Sequence, residues 1–310
     1  MVAFESEGNG DRGATAARAE VLRPPGPRPG RDVAVEPRTA PSGPPVIEVV
    51  NLHTSYGGKP TLRGVNLTVN KGETMVIMGG SGCGKSTLLR HLIGSARPDE
   101  GQVKLFGRDL ATLSPTEMNE TRKKFGILFQ SGALYNSMDV FDNIALPLRE
   151  HADLDEEVIR IVVELKLEMV KLQPADLAKT PAELSGGMKK RVGLARAIAL
   201  DPEILFYDEP SAGLDPVVSA QIDELMIGLS KKMGVTSVVV THEMDSAFRI
   251  ADRMCMLDKG RVEFLGTKEE VVACTNPLVQ QFIRGEPDGP FSIRPDAATS
   301  SFREGLPRRE

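Results

Sequence analysis

The chain has 310 residues, 40% of them hydrophobic and 26% charged, with a formal net charge of -5, a balance typical of a globular protein with room for one large domain or two modest ones. An acidic chain with no basic excess argues against a nucleic-acid binder. No apolar run approaches the ~20 residues of a membrane span and no secretory apolar core leads the chain, so a cytoplasmic protein is expected.

Residues 1–45 hold eight prolines and six glycines among six arginines and six acids. That composition predicts a disordered Pro/Gly-rich tail with no catalytic part. Folded structure is expected over 46–285, opening on the strand-like run Val46-Ile47-Glu48-Val49-Val50. Val65 to Val69 and Thr74 to Met78 read as further strands.

Directly after Met78 comes Gly79-Gly80-Ser81-Gly82-Cys83-Gly84-Lys85-Ser86-Thr87, a match to G-x-x-x-x-G-K-[ST], followed by the helix-like Leu88-Leu89-Arg90-His91-Leu92-Ile93. Strand, glycine loop and helix in that order give the motif its meaning. The glycines let successive backbone N–H groups converge on one point, where the helix dipole adds positive potential. Lys85 then reaches the β- and γ-phosphates of a nucleoside triphosphate, and the Ser86 hydroxyl ligates Mg²⁺. Cys83, one of three cysteines with no metal-like spacing, reads as a small filler in the loop.

Further along, Gln102 to Phe106 reads as a strand. Val158, Val162, Leu165, Met169 and Leu172 recur at helical spacing and predict a helix packing that stripe into a core. Leu184-Ser185-Gly186-Gly187-Met188 precedes another helix, with Ser185 as its N-cap and backbone donors exposed at Gly186 and Gly187. Ile204-Leu205-Phe206-Tyr207-Asp208-Glu209 is an apolar strand ending in two carboxylates. Asp208 is placed to hold Mg²⁺, directly or through water, and Glu209 to accept the proton of a water attacking the γ-phosphate. Ser237 to Val240 is a strand, and Arg253 to Leu257 with Arg261 to Leu265 forms a hairpin across Asp258-Lys259-Gly260. A second tail is expected over 286–310.

Lys85, the Ser185 helix start, Asp208 and Glu209, in that order and at those separations, resemble the ATPase subunits of ABC transporters over roughly residues 46–285. The resemblance implies an α/β P-loop NTPase fold: a RecA-like core with an antiparallel β subdomain and an α-helical subdomain carrying the signature. It implies ATP and Mg²⁺ as ligands and ATP hydrolysis as the reaction, with Glu209, His242 and Lys85 in catalysis. Tyr56 matches the aromatic that stacks on adenine. Gln130 matches the glutamine between core and helical subdomain, a third Mg²⁺ contact beside Ser86 and Asp208. Ser211-Ala212-Gly213-Leu214-Asp215 matches the D-loop and His242 the switch histidine. Residues 79–87 would hold the phosphates, and Ser185, Gly186 and Gly187 would close over the nucleotide of a second subunit, so a homodimer is implied.

The stretch from Phe129 to Glu150, Met188 where the family usually has glutamine, and the tail Phe282 to Pro290 look like the ATPase subunits of Mce/Mla-type lipid transporters. That similarity implies a peripheral protein on the cytoplasmic face of the inner membrane, with permease subunits, a Mce-domain lipid-binding protein and a STAS-domain protein as partners. Two alternatives stay open: an importer ATPase for another solute such as amino acids, and an ABC-type ATPase that works without a permease.

Overall fold

The computed structural model describes residues 43–290. The two expected tails lie outside the described residues, apart from 43–45 and 286–290. In chain order the elements are β1 (Pro45–Tyr56), β2 (Lys59–Asn70), β3 (Thr74–Met78), α1 (Lys85–Leu92), β4 (Glu100–Leu105), β5 (Arg108–Asp109), α2 (Pro115–Lys123), β6 (Phe125–Leu128), α3 (Val140–His151), α4 (Glu156–Met169), α5 (Gly186–Ala197), β7 (Ile204–Asp208), α6 (Pro216–Met233), β8 (Thr236–Val240), α7 (Met244–Ile250), β9 (Arg253–Asp258), β10 (Arg261–Thr267), α8 (Lys268–Ala273) and α9 (Pro277–Arg284).

The strands form two sheets, one in the order β2-β1-β4-β5 and one in the order β10-β9-β3-β8-β7-β6. The first is antiparallel throughout. In the second, β9, β3, β8, β7 and β6 run parallel and only the expected hairpin partner β10 is antiparallel. The sequence pattern explains the difference. Val65, Leu67 and Val69 of β2 are buried while Asn66 and Thr68 between them are exposed, the alternation of a sheet with one wet face. Every residue of β3 and β8 is buried, as a strand covered on both sides requires.

Those parallel strands divide two apolar cores between them. Val76 and Met78 of β3, Leu205 and Tyr207 of β7, and Val239 of β8 pack with the helices on one side. Met75, Ile77, Ile204, Phe206, Val238 and Val240 pack on the other, against Leu88, Leu89 and Leu92 of α1 and the inward residues of β1 and β2. Helix α1 is thus held between the sheets, which fixes the loop that leads into it.

Helices α3, α4 and α5 pack on one another, and α5 also packs on β6. In α4 the buried stripe differs from the expected one. Ile159, Val163, Lys166 and Leu167, with Val170 just past its end, face the core; of the expected stripe, Leu172 is buried, Val162 and Met169 are half-buried against the core, and Val158 and Leu165 are exposed. The helix carries apolar residues on two overlapping stripes, and its packing against α3 and α5 selects the second. That choice buries a lysine: the Lys166 ammonium pairs with Asp201 Oδ1 at 2.5 Å, whose own side chain stays exposed. Leu167 and Leu165 provide the contrast that checks this orientation. Leu167→Ala should destabilise the chain by about 2–5 kcal/mol and Leu165→Ala by less than ~1 kcal/mol, measured by denaturant unfolding; equal losses would refute it.

Candidate active site

The glycine loop begins where β3 ends. Gly79 has φ 147°, and a Cβ there would lie 2.2 Å from the Leu257 carbonyl oxygen and 2.7 Å from Cys83 Sγ. Only glycine lets the loop lie this close to the end of β9. Lys85 opens α1, and its Nζ donates to the carbonyls of Gly79 and Gly80 at 2.7 and 3.1 Å, so the ammonium is centred over the loop. The Cys83 thiol is buried and burial pushes its pKa up, which keeps it a neutral packing group.

Across the sheet, β7 ends on Asp208. Burial, and secondly the charge of Glu209, pushes the Asp208 carboxyl above the usual carboxylate range, while Lys190, Arg90 and Lys85 pull it down. Glu209 follows in the left-handed region, at φ 49°. Its N–H donates to the Val240 carbonyl at 2.9 Å, its carbonyl accepts from Lys190 Nζ at 3.0 Å, and its Oε1 lies 2.9 Å from His242 Nδ1. Glu209 Oε2 is buried and makes no hydrogen bond within the described residues.

Gln130 sits just after β6, in a loop held by a buried side chain. Asn143, fully buried in α3, donates through Nδ2 to the carbonyls of Tyr135, Met138 and Asp139 and accepts from the Tyr135 N–H at 2.8 Å. Arg196 of α5 ties the same loop by donating to the carbonyls of Gly132 and Ala133.

A cleft of about 1160 Å³ joins these parts. Gly79, Gly80, Ser81, Gly82, Lys85, Ser86, Gln130, Asp208, Glu209 and His242 all line it. Other expected residues stand apart. Cys83, Gly84 and Thr87 belong to the loop and helix start but not to the cleft wall. Tyr56 is at the exposed tip of the β1–β2 hairpin, and Ser185, Gly186 and Gly187 begin α5 away from the wall. Ser185 does cap its helix, accepting from the Met188 N–H at 3.3 Å.

Several contributors were missed from sequence. Lys190 sits in the run Lys189-Lys190-Arg191, where nothing marks it from its neighbours. Phe282 to Gly285, from the end of α9, line the cleft together with Asp223, Ser246 and Arg249.

Residues 62–212 match the ABC transporter family. The chain is 43% identical over 249 residues, 80% of its length and 94% of the relative's, to the intermembrane phospholipid transport system ATP-binding protein MlaF of Haemophilus influenzae. It is 41% identical over 276 residues, 87% of its length and 77% of the relative's, to the probable ribonucleotide transport ATP-binding protein mkl of Mycobacterium tuberculosis. Among solved structures it resembles a dimeric ATP-binding cassette in a post-hydrolysis state bound to ADP and Pi, with a TM-score of 0.66 and 32% identity over 71% of this chain and 98% of that one.

The loop geometry yields a paired prediction. Alanine at Gly79 meets backbone, whereas alanine at Gly82, φ 74°, meets nothing within 4 Å and carries only the left-handed strain. Gly82→Ala should cost about 1–2 kcal/mol and Gly79→Ala more than ~2 kcal/mol, read from thermal or denaturant melts; the reverse order would contradict the packing of the loop on β9.

Proposed function

The chain belongs to the ABC transporter family and is an ATP-hydrolysing subunit of it, and from that premise we propose that it drives a membrane transporter moving phospholipids or related lipids in the bacterial cell envelope. The observation that carries the chemical half is the single cleft in which the glycine loop, Lys85, Asp208, Glu209 and His242 meet. The lipid half is supported by identity across 94% of a relative whose name states intermembrane phospholipid transport. The 41% identity to a relative named for ribonucleotide transport supports a second cargo on the same cleft, because cargo recognition belongs to the membrane partner.

In the proposed mechanism the N–H groups of residues 79–84 and the start of α1 cradle the phosphates. Lys85 leaves the loop carbonyls for the β- and γ-phosphates, and Tyr56 stacks on the adenine. Ser86, Gln130 and Asp208 all line the cleft, and their side-chain oxygens are the hard donors that would hold Mg²⁺. An ion held by them would supply neutralisation of the negative charge on the phosphates. Glu209 accepts the proton of the attacking water through its carboxylate, whose Oε2 has no other hydrogen bond among the described residues. His242, paired to Oε1, holds that carboxylate in place and faces the γ-phosphate.

The site so described is half of a whole. Ser185, Gly186 and Gly187 expose helix-start donors away from their own cleft, and they serve the nucleotide of a second copy. Two chains then close around two ATP molecules, and hydrolysis removes the γ-phosphate that bridges them. The folded ATPase spans residues 46–285.

Among the described residues no helix is long and apolar enough to cross a membrane. The identity to MlaF supports a peripheral subunit on the cytoplasmic face, beside integral permease subunits. The groove of about 660 Å³ lined by Phe129, Tyr135, Leu146 and Pro147 is the surface for the permease. Phe129 and Tyr135 are exposed there. A Mce-domain lipid-binding protein and a STAS-domain protein complete the assembly.

Glu209→Gln should lower kcat at least ~100-fold with ATP affinity intact and stabilise an ATP-bound dimer, measured by phosphate release and light scattering; normal turnover would remove the general-base assignment. Lys85→Ala should weaken ATP binding about tenfold or more in a fluorescent-nucleotide titration, and unaltered affinity would overturn the phosphate-loop role. Purification of the tagged chain from native membranes should bring a Mce-domain partner; a periplasmic amino-acid- or nucleotide-binding partner instead would replace the lipid reading.

A further inference from the structure

Lys190 lies five residues beyond Ser185 on α5, about one and a half turns along the helix, and is only 4% exposed. A lysine so buried is costly, since its ammonium has left water. Burial lowers its pKa, while the charges of Asp208, Glu209 and Glu243 pull the other way and favour the cation. Its Nζ donates to the backbone carbonyl of Glu209 at 3.0 Å.

The residue it holds is strained. Glu209 has φ 49°, a left-handed conformation that costs a side-chain-bearing residue about 1–2 kcal/mol and persists only where neighbours enforce it. Four contacts enforce it: Val240 at the N–H, Lys190 and the Ala212 N–H at the carbonyl, and His242 at the carboxylate. The Val240 contact comes from the neighbouring strand and the His242 contact from the segment after it. The Ala212 contact comes from the loop that follows, and Lys190 alone of the four reaches Glu209 from the helical subdomain.

We propose that Lys190 is a positioning residue for ATP hydrolysis: from the helix that begins at Ser185, it fixes the left-handed turn that aims the Glu209 carboxylate into the cleft. This rests on Glu209 as the group that receives the water's proton. The helix whose start serves one nucleotide thereby sets the proton acceptor of the other. Without the ammonium, the Glu209 carbonyl loses its charged and shorter hydrogen bond and keeps only the 3.3 Å bond from the Ala212 N–H, and the turn can relax toward ordinary backbone angles. The carboxylate is then displaced while the glycine loop, Lys85 and Ser86 keep their places.

The test is Lys190→Met and Lys190→Arg in the full chain, with kcat and KM for ATP, fluorescent-nucleotide affinity and a thermal melt for each. Lys190→Met should lower kcat about 10–100-fold, with KM and nucleotide affinity within about twofold of the parent, and Lys190→Arg, which keeps a charged donor, should recover most of the loss. If Lys190→Met does not fold, Lys190→Leu, which likewise has no donor, carries the same expectation. Four results overturn the inference: turnover within about twofold of the parent, loss of kcat and nucleotide affinity together, no recovery in Lys190→Arg, or failure of both neutral variants to fold. Glu209→Gln separates the two layers. If it retains turnover, the proton-acceptor assignment falls; if it stops turnover and Lys190→Met does not, only the positioning role falls.

Discussion

The parallel pairing of β3, β8 and β7 is the constraint on which the site depends. Val240 of β8 is opposite Ile77 of β3 on one side and Asp208 of β7 on the other. With strands ~4.8 Å apart, that register sets the ends of β3, β8 and β7 side by side, and the glycine loop, the two carboxylates and His242 that follow or end them line one cleft. A slip of one residue would turn every side chain of a strand to the opposite face. Because each strand is buried on both sides, such a slip would also exchange residues between two distinct cores, so the register is fixed twice over.

There the chain gathers charge it must then manage. Asp208 and Glu209 are adjacent carboxylates in a half-buried cleft, opposed by Lys85 and Arg90 on α1 and by Lys190 on α5. The cations come from two different layers of the fold: α1 lies between the sheets, and α5 belongs to the helical subdomain. The helical subdomain is therefore part of the electrostatics of the cleft as well as the carrier of Ser185. Ligand sites at the carboxyl ends of parallel strands are a general consequence of this architecture, and here the start of α1 lies at that edge.

Legibility followed how far chemistry restricts the residue choice. The run 79–87 could be read because phosphate binding requires glycine, lysine and a hydroxyl in fixed order. The strand Thr74–Met78, and Ile204–Asp208 to within one residue at its end, could be read because doubly buried strands are almost continuously apolar. In α4 the sequence offered apolar residues on two adjacent stripes, and only contact with α3 and α5 decided between them. Lys190 was hidden within three consecutive basic residues, since its partner is a backbone carbonyl 19 positions away that leaves no trace in side-chain pattern. Asn143 was hidden likewise, because its partners are the backbone groups of Tyr135, Met138 and Asp139. The cargo had no residues to be read from.

The central claim is that the helix start at Ser185 completes the cleft of another copy of the chain. In a Glu209→Gln background, chains carrying Ser185→Cys would be mixed with chains of a different length carrying Ser81→Cys, and a short cysteine-reactive crosslinker added with and without ATP. The account predicts a covalent pair containing one chain of each kind, formed when ATP is present. A crosslink of equal yield without ATP, or none in its presence, would contradict it.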